Sequence, residues 1–466
     1  MTNSSNEWTY LRQLTRLEFV QSREQGRPAQ ALSELKTAYQ EAGHDPQALE
    51  TVWERLQTLE TDPAFPYHEP SDLAGILAQR AGPAVAATPL PYSDDVLYDR
   101  LHGAWLARCC GCALGKPVET LNTVRPGDPY SGQQRLKDYL LSVGPDEYPL
   151  RDYIPSRPAR EGDGFRLISP QSTRERLAYM EPDDDIRYTC LNQLALRRKG
   201  RHFTSGDVAA VWLEKLPIGD VCTAEALTYR NLVWRYQVSC GGWPAQDIDW
   251  DWVATHHNPF REMIGAQIRA DSWGYAAPGD PAQAAEFAWR DARISHTKNG
   301  IYGEMFVAAM IAAAFVADSM QQVVEAGLSQ IPASSRLYAA VREVIAICAA
   351  HDPAAYEAVL SEVNALLSGY NAIHTVNNAG LVVAALLLGG RDLERVITIA
   401  VMGGLDTDCN GATAGSICGA MIGAAALPAR WTAPLHDTLR AGVLGYDPVA
   451  ISACARQSLE IVQAAR

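Results

Sequence analysis

Carboxylates crowded into short stretches are the first sign of chemistry in this 466-residue sequence. Met180-Glu181-Pro182 leads into Asp183, Asp184 and Asp185, and an apolar run follows from Cys190 to Leu196. Three adjacent carboxylates repel one another when desolvated unless a proton or a cation offsets them, and hard divalent cations bind such oxygen clusters. A competing reading makes Asp183 a helix cap, with Asp184 and Asp185 favouring the N-terminal dipole and no metal required. Taken alone, this stretch leaves both readings open.

A second acidic stretch runs Gly403-Gly404-Leu405-Asp406-Thr407-Asp408-Cys409-Asn410, between the apolar segment Leu393–Met402 and a run of small residues. Acids at i and i+2 in a turn can reach one ion, and the glycines let backbone approach a ligand, so a metal outweighs capping here. Gly411, Gly415, Gly419 and Gly423 then recur every four residues. Such a stripe lets a neighbouring helix pack closely and would bring both acidic turns into one crevice. Two further stretches are weaker by themselves. Leu101 to Glu119, with Gly103, Gly111 and Gly115, reads as a tightly packed helix that stops before Pro117 and releases Glu119 at its end. Ser295-His296 stands at the entry to an apolar helix, a position where histidine is more often a structural hydrogen-bonder than a catalyst.

The elements that must position these residues are helices. Apolar residues recur three and four apart from Trp8 to about Leu59, broken at Gly26-Arg27-Pro28 and at Gly43 to Pro46. Proline-rich runs at Asp62–Pro70 and Gly82–Pro91 predict a boundary near residue 90. The expected division is a helical module over 1–90, suited to docking or oligomerisation, and an all-α catalytic domain over 91–466. Val96–Leu114 is a predicted helix, and Asn122–Arg176, crowded with Pro, Gly, Asp and Arg, a surface excursion over the site. Strand alternation and βαβ rhythm are nearly absent, so the fold class is all-α. His256-His257 and the stretch Trp243–Trp252 could line a pocket or simply pack.

Composition narrows the partners. A net charge of −14 with no basic run makes nucleic acid a poor partner. An acidic protein handling a phosphorylated substrate needs local compensation, which a bound cation supplies. The ten cysteines, Cys109, Cys110, Cys112, Cys190, Cys222, Cys240, Cys348, Cys409, Cys418 and Cys454, are scattered and form no disulfide framework. Cys109 to Cys112 spells C-x-x-C without a second pair, and core packing is its better reading. The polar Met1–Trp8 lacks the apolar core of a secretion signal, and the longest apolar runs, Met305–Val316 and Leu381–Leu388, are too short to span a bilayer. The expected setting is cytoplasmic, with no membrane partner.

Taken in order, these segments resemble the ADP-ribosylglycohydrolase family from about Val96 to Trp431. Gly103 through Glu119 resembles the family's opening glycine-rich pattern ending on an acid, with Cys112 where Asp is common. Asp183-Asp184-Asp185 resembles its Thr-Asp-Asp motif, with Asp183 in the place of Thr. Ser295-His296 resembles its Ser/Thr-His motif. Gly403, Gly404, Asp406, Thr407 and Asp408 resemble its Gly-Gly-Asp-x-Asp-Thr motif, with Leu405 inserted and Cys409 where Thr is frequent. The glycine stripe and the closing Leu427-Pro428 to Trp431 are similar to its C-terminal signature.

The resemblance implies an orthogonal all-α bundle holding two Mg²⁺ ions, or Mn²⁺. It implies Asp184, Asp185, Asp406 and Asp408 as principal ligands, with Asp183 and Cys409 as further ones. Glu119, His296, Gly403 and Gly404 align with substrate-binding positions. The implied substrate is an ADP-ribose-type or nucleoside-type small molecule or an ADP-ribosylated protein. Glu119 or Asp408 would serve as general base to water attacking the anomeric carbon, through an oxocarbenium-like transition state. The alternative is a non-catalytic, crystallin-like member of the same fold. A terpenoid synthase, also helical and aspartate-rich, fits poorly, because no second acid follows one helical turn after Asp183–Asp185.

Overall fold

The computed structural model describes residues 4–82, 85–122, 132–157, 165–238, 242 and 247–466, the side chains of 4–9 and 122 aside. Cys240 and Trp243 lie outside the described residues. Among the described residues, α-helices alternate with short 3₁₀ turns, and the only sheet pairs Thr438–Leu439 with Val449–Ala450. The fold is all-α.

One continuous apolar core runs from Ile76 to Val462. At its centre the Asp94–Gly115 helix lies antiparallel to the Thr407–Ile422 helix. Gly103 faces Gly419, Ala107 faces Gly415, Gly111 faces Gly411, and Gly115 faces Thr407. A methyl group on Gly111 or Gly411 would come well inside van der Waals contact with the other residue's carbonyl oxygen, so only glycine permits this approach. Thr407 Oγ1 also donates to the Gly115 carbonyl at 2.9 Å, tying the start of one helix to the end of the other. The partner of the C-terminal glycine stripe is therefore the first glycine-bearing helix, which starts at Asp94 and runs one residue past the predicted end.

A third helix, Asp184–Lys199, brings its N-terminus to the same place. Asp183 caps it by accepting from the Asp185 amide at 3.0 Å, while Arg197, Arg198 and Lys199 complement the dipole of the last turn.

The first three helices, Ser4–Glu24, Ala29–Ala42 and Pro46–Thr58, carry small apolar clusters of their own, one of which reaches Leu227 in the main body. The first helix also buries polar residues against that body. Glu18 meets Arg261 in two ionic hydrogen bonds of 2.6 and 2.7 Å, and Gln21 and Gln25 both donate to Glu262. His257 joins this seam through Glu50 at 3.0 Å and an edge contact on Trp53, while His256 stacks on Trp252. Ile76, from the Leu73–Ala78 helix, belongs to the large core although it precedes residue 90.

The expected surface excursion over 122–176 needs correction. Its described part includes the Gly132–Val143 helix, which buries Leu136, Tyr139 and Leu140, and Tyr153 and Ile154 are buried too. Residues 123–131 and 158–164 lie outside the described residues. The expectation that the stretch covers the acidic turns has a structural counterpart at one point, where Gly132 and Gln133 abut Gly404.

Candidate metal centre

Three chain segments meet where the helices converge. Glu119 follows the Asp94–Gly115 helix in the 3₁₀ turn Lys116–Asn122, Asp183–Asp185 open the Asp184–Lys199 helix, and Asp406 and Asp408 open the Thr407–Ile422 helix. Gly404 (φ +74°) and Leu405 (φ +63°) both adopt left-handed backbone and turn the chain sharply just before Asp406. For Leu405 that conformation is strained, as is common where a turn serves a site.

Donor atoms gather in three groups, each within 4.8 Å of one another: Cys112 with Asp183 and Asp185, Asp185 with Asp408 and Cys409, and Glu119 with Asp406 and Asp408. Asp185 and Asp408 each belong to two groups and so bind the cluster together. Both are nearly inaccessible, at 0% and 3% exposure, whereas Glu119 reaches solvent at the rim.

So many acids in so little space perturb one another. Burial, then repulsion by Asp406, Asp183 and Asp184, pushes the Glu119 carboxyl up to about 8. Burial, then Asp183 and Asp406, pushes Asp184 up to about 7. Asp185 and Asp408 are raised as well, burial leading in each case and the neighbouring acids adding to it, with Arg108 partly opposing the shift of Asp185. Asp183 runs the other way: burial opposes its charge, but the Lys116 ammonium at 2.8 Å holds its carboxyl below the usual range.

Two buried cations share this crevice, and the sequence reading missed both. Lys116 grips Asp183 Oδ2 and also donates to the Pro182 carbonyl. Arg108, fully buried, lies 3.4 Å from Asp185 Oδ1 and 2.8 Å from Asp271 Oδ2, and donates to the Asp185 and Ile268 carbonyls. A lone arginine inside the apolar run Trp105–Gly115 was the available signal, since such a charge needs a buried partner.

Not all the oxygens are accounted for by these partners. Asp183 is used up, one oxygen on Lys116 and the other on the Asp185 amide. Asp185 Oδ2 and Asp408 Oδ1, by contrast, are buried with no hydrogen-bond partner among the described residues. A buried, unpartnered carboxylate oxygen is costly in an apolar interior, and two of them on neighbouring acids fit a divalent cation.

The candidate residues are thus distributed unevenly. Asp185, Asp406, Asp408, Cys409 and Glu119 come together, and Cys112, read from sequence as core packing, joins them. Asp184 is close enough to Asp406 to feel its charge but belongs to none of the three groups. Gly404 forms the turn, and Gly403 accepts a hydrogen bond from Asn364. His296 belongs to none of the three groups. It is buried, its Nδ1 2.7 Å from Ser295 Oγ, in a network around Arg269, Glu225, Asp291 and Glu304.

The sequence model of a family described as ADP-ribosylglycohydrolase matches residues 93–459, a span that holds every residue of the cluster. No curated protein matches the chain. A solved structure described as an ADP-ribosylglycohydrolase-related protein complex is 18% identical, with 80% of this chain and 100% of that chain covered and a TM-score of 0.48.

Proposed function

Since the chain belongs to the ADP-ribosylglycohydrolase family, we propose that it is a divalent-cation-dependent hydrolase of a ribosyl glycosidic bond. Its substrate is an ADP-ribosylated side chain or a small ADP-ribose or nucleoside conjugate. The observation that carries this reading is the pair of unpartnered buried oxygens, Asp185 Oδ2 and Asp408 Oδ1, contributed by helices more than two hundred residues apart.

Asp185, Asp406 and Asp408 are the residues we assign to hold the cation, with Asp184, Asp183 and Cys409 around them. Mg²⁺ is the ion the family resemblance implies, with two ions expected and Mn²⁺ able to replace it. When bound, such an ion supplies charge compensation, Lewis acidity and a template for the sugar hydroxyls. The protein's own groups do the rest. Arg108 and Lys116 hold Asp185 and Asp183 in fixed positions, so the acids cannot relax apart. Glu119 sits at the rim, its carboxyl lifted to about 8 by burial and the neighbouring acids, where a carboxylate exchanges protons near neutral pH. It is the first candidate to take the proton of water attacking the anomeric carbon, and Asp408 is the second. The surrounding carboxylates also favour the positive charge that develops on the ribose as the leaving group departs.

One observation favours the second reading, a non-catalytic protein of the same fold. Lys116 and Arg108 already neutralise part of the cluster without any ion. The free oxygens of Asp185 and Asp408 count against it, because a scaffold gains nothing from them. A turnover screen with ADP-ribosyl-arginine, ADP-ribosyl-serine, O-acetyl-ADP-ribose and simple nucleosides, with Mg²⁺ and with EDTA, separates the two. Release of ADP-ribose or ribose that EDTA abolishes supports the hydrolase; no turnover of any of them supports the scaffold.

A further inference from the structure

Two of the three donor groups contain a sulfur atom. Cys112 Sγ stands with Asp183 and Asp185, and Cys409 Sγ with Asp185 and Asp408, all of them buried. The two groups are not equivalent. In the first, Lys116 and the Asp185 amide already occupy both oxygens of Asp183. In the second, Asp185 Oδ2 and Asp408 Oδ1 are both unpartnered, and Cys409, 5% exposed, completes a two-oxygen, one-sulfur set.

A buried cysteine ordinarily packs as a small hydrophobe. Cys409 instead opens onto carboxylate oxygens, with a side-chain hydrogen bond to Asp406 and its sulfur within 4.8 Å of donor oxygens of Asp185 and Asp408. Magnesium prefers oxygen donors alone, whereas thiolate donors select zinc and other borderline ions. We propose that Cys409 ligates through its sulfur, so that the position shared by Asp185, Asp408 and Cys409 takes a borderline transition-metal ion of the zinc or cobalt class in preference to magnesium. On coordination the sulfur–metal bond forms, the S–H bond breaks and the proton leaves to solvent, with no change of oxidation state. The inference rests on the cation-dependent reading above and specifies which ion that site selects.

The full-length protein, freed of metal with EDTA, is titrated with Co²⁺ and followed by absorption spectroscopy. A near-ultraviolet sulfur-to-cobalt charge-transfer band is expected in the wild type and in Cys112→Ser, and is lost in Cys409→Ser. Competition titrations with Zn²⁺ and Mg²⁺ should show Cys409→Ser weakening Zn²⁺ by roughly tenfold or more while leaving Mg²⁺ little changed. X-ray absorption on the zinc-loaded wild type needs no variant, and should show one sulfur scatterer at about 2.3 Å. Cobalt or zinc bound by oxygen alone overturns the inference and leaves the cation-dependent reading intact. A band lost in Cys112→Ser and kept in Cys409→Ser overturns the assignment to Cys409. Failure of Co²⁺, Zn²⁺ and Mg²⁺ alike to bind overturns the underlying reading as well.

Discussion

Asp185 and Asp408 differ from the other carboxylates of the crevice in one respect that decides their chemistry: each keeps a buried oxygen without a donor. Asp408→Asn removes that oxygen's charge along with its repulsion toward Glu119, Asp183 and Asp406. We expect kcat/KM to fall by on the order of 10²–10⁴. In EDTA the same variant should melt at a higher temperature than the wild type, because a site under mutual repulsion costs stability when it holds no cation. Lys116 is predicted to behave in the opposite way. Lys116→Met leaves Asp183 buried and uncompensated, at a cost of about 3–5 kcal/mol in urea unfolding. Adding Asp183→Asn should restore much of it. At this scale the acids were legible because they are adjacent in sequence. Lys116 and Arg108 were not, because their partners lie 67 and 77 residues away and only the packed helices bring them together.

Helix pairing sets how closely the two acidic turns approach. The glycine stripe after Asp408 announced a close helical neighbour, and the glycines of 103–115 announced another tightly packed helix. That the two stripes face each other required the tertiary structure, since period alone does not say which helix meets which. A methyl at Gly111 collides with the backbone of Gly411, which cannot move aside as a side chain could. Gly111→Ala is therefore expected to cost about 1–3 kcal/mol and to weaken divalent-ion binding as the helices separate. Gly200→Ala is the contrast. It strains a left-handed residue (φ +62°) at the far end of the Asp184–Lys199 helix, where an added methyl meets nothing. It should lower the melting temperature and leave ion affinity unchanged, both read by thermal unfolding with and without Mg²⁺. The 122–176 stretch was misjudged as surface because its Pro, Gly and Asp content masks Leu136, Tyr139 and Ile154, which supply its buried contacts.

Across the whole molecule, the first helix is joined to the body by a polar seam beside the apolar contact of Leu14 with Leu227, and periodicity reveals only the second. Glu24 sits in that seam with both oxygens unpartnered, 3.7 Å from His374, and burial holds that imidazole neutral, down to about 3. Burial, then repulsion by Glu262, lifts Glu24 from 4.5 to about 7. The folded chain thus holds this proton more tightly than the unfolded chain does. Stability falls as pH rises from about 4.5 to about 7 and is flat in this contribution above that, a loss of about 3 kcal/mol in all. Glu24→Gln should make the fall shallower in denaturant melts taken across the window, leaving the part due to Asp184 and Glu119, and stabilise the protein at pH 8.

These clustered carboxylates are expected to bind a ribosyl ligand only by way of a divalent cation. Calorimetric titration of the metal-free protein with ADP-ribose, repeated after addition of Mg²⁺ or Mn²⁺, tests it directly. No measurable heat of binding is expected without the ion, saturable binding with it, and loss of that binding in Asp406→Asn and Asp408→Asn. ADP-ribose binding of equal affinity in EDTA, or binding unaffected by either substitution, would contradict it.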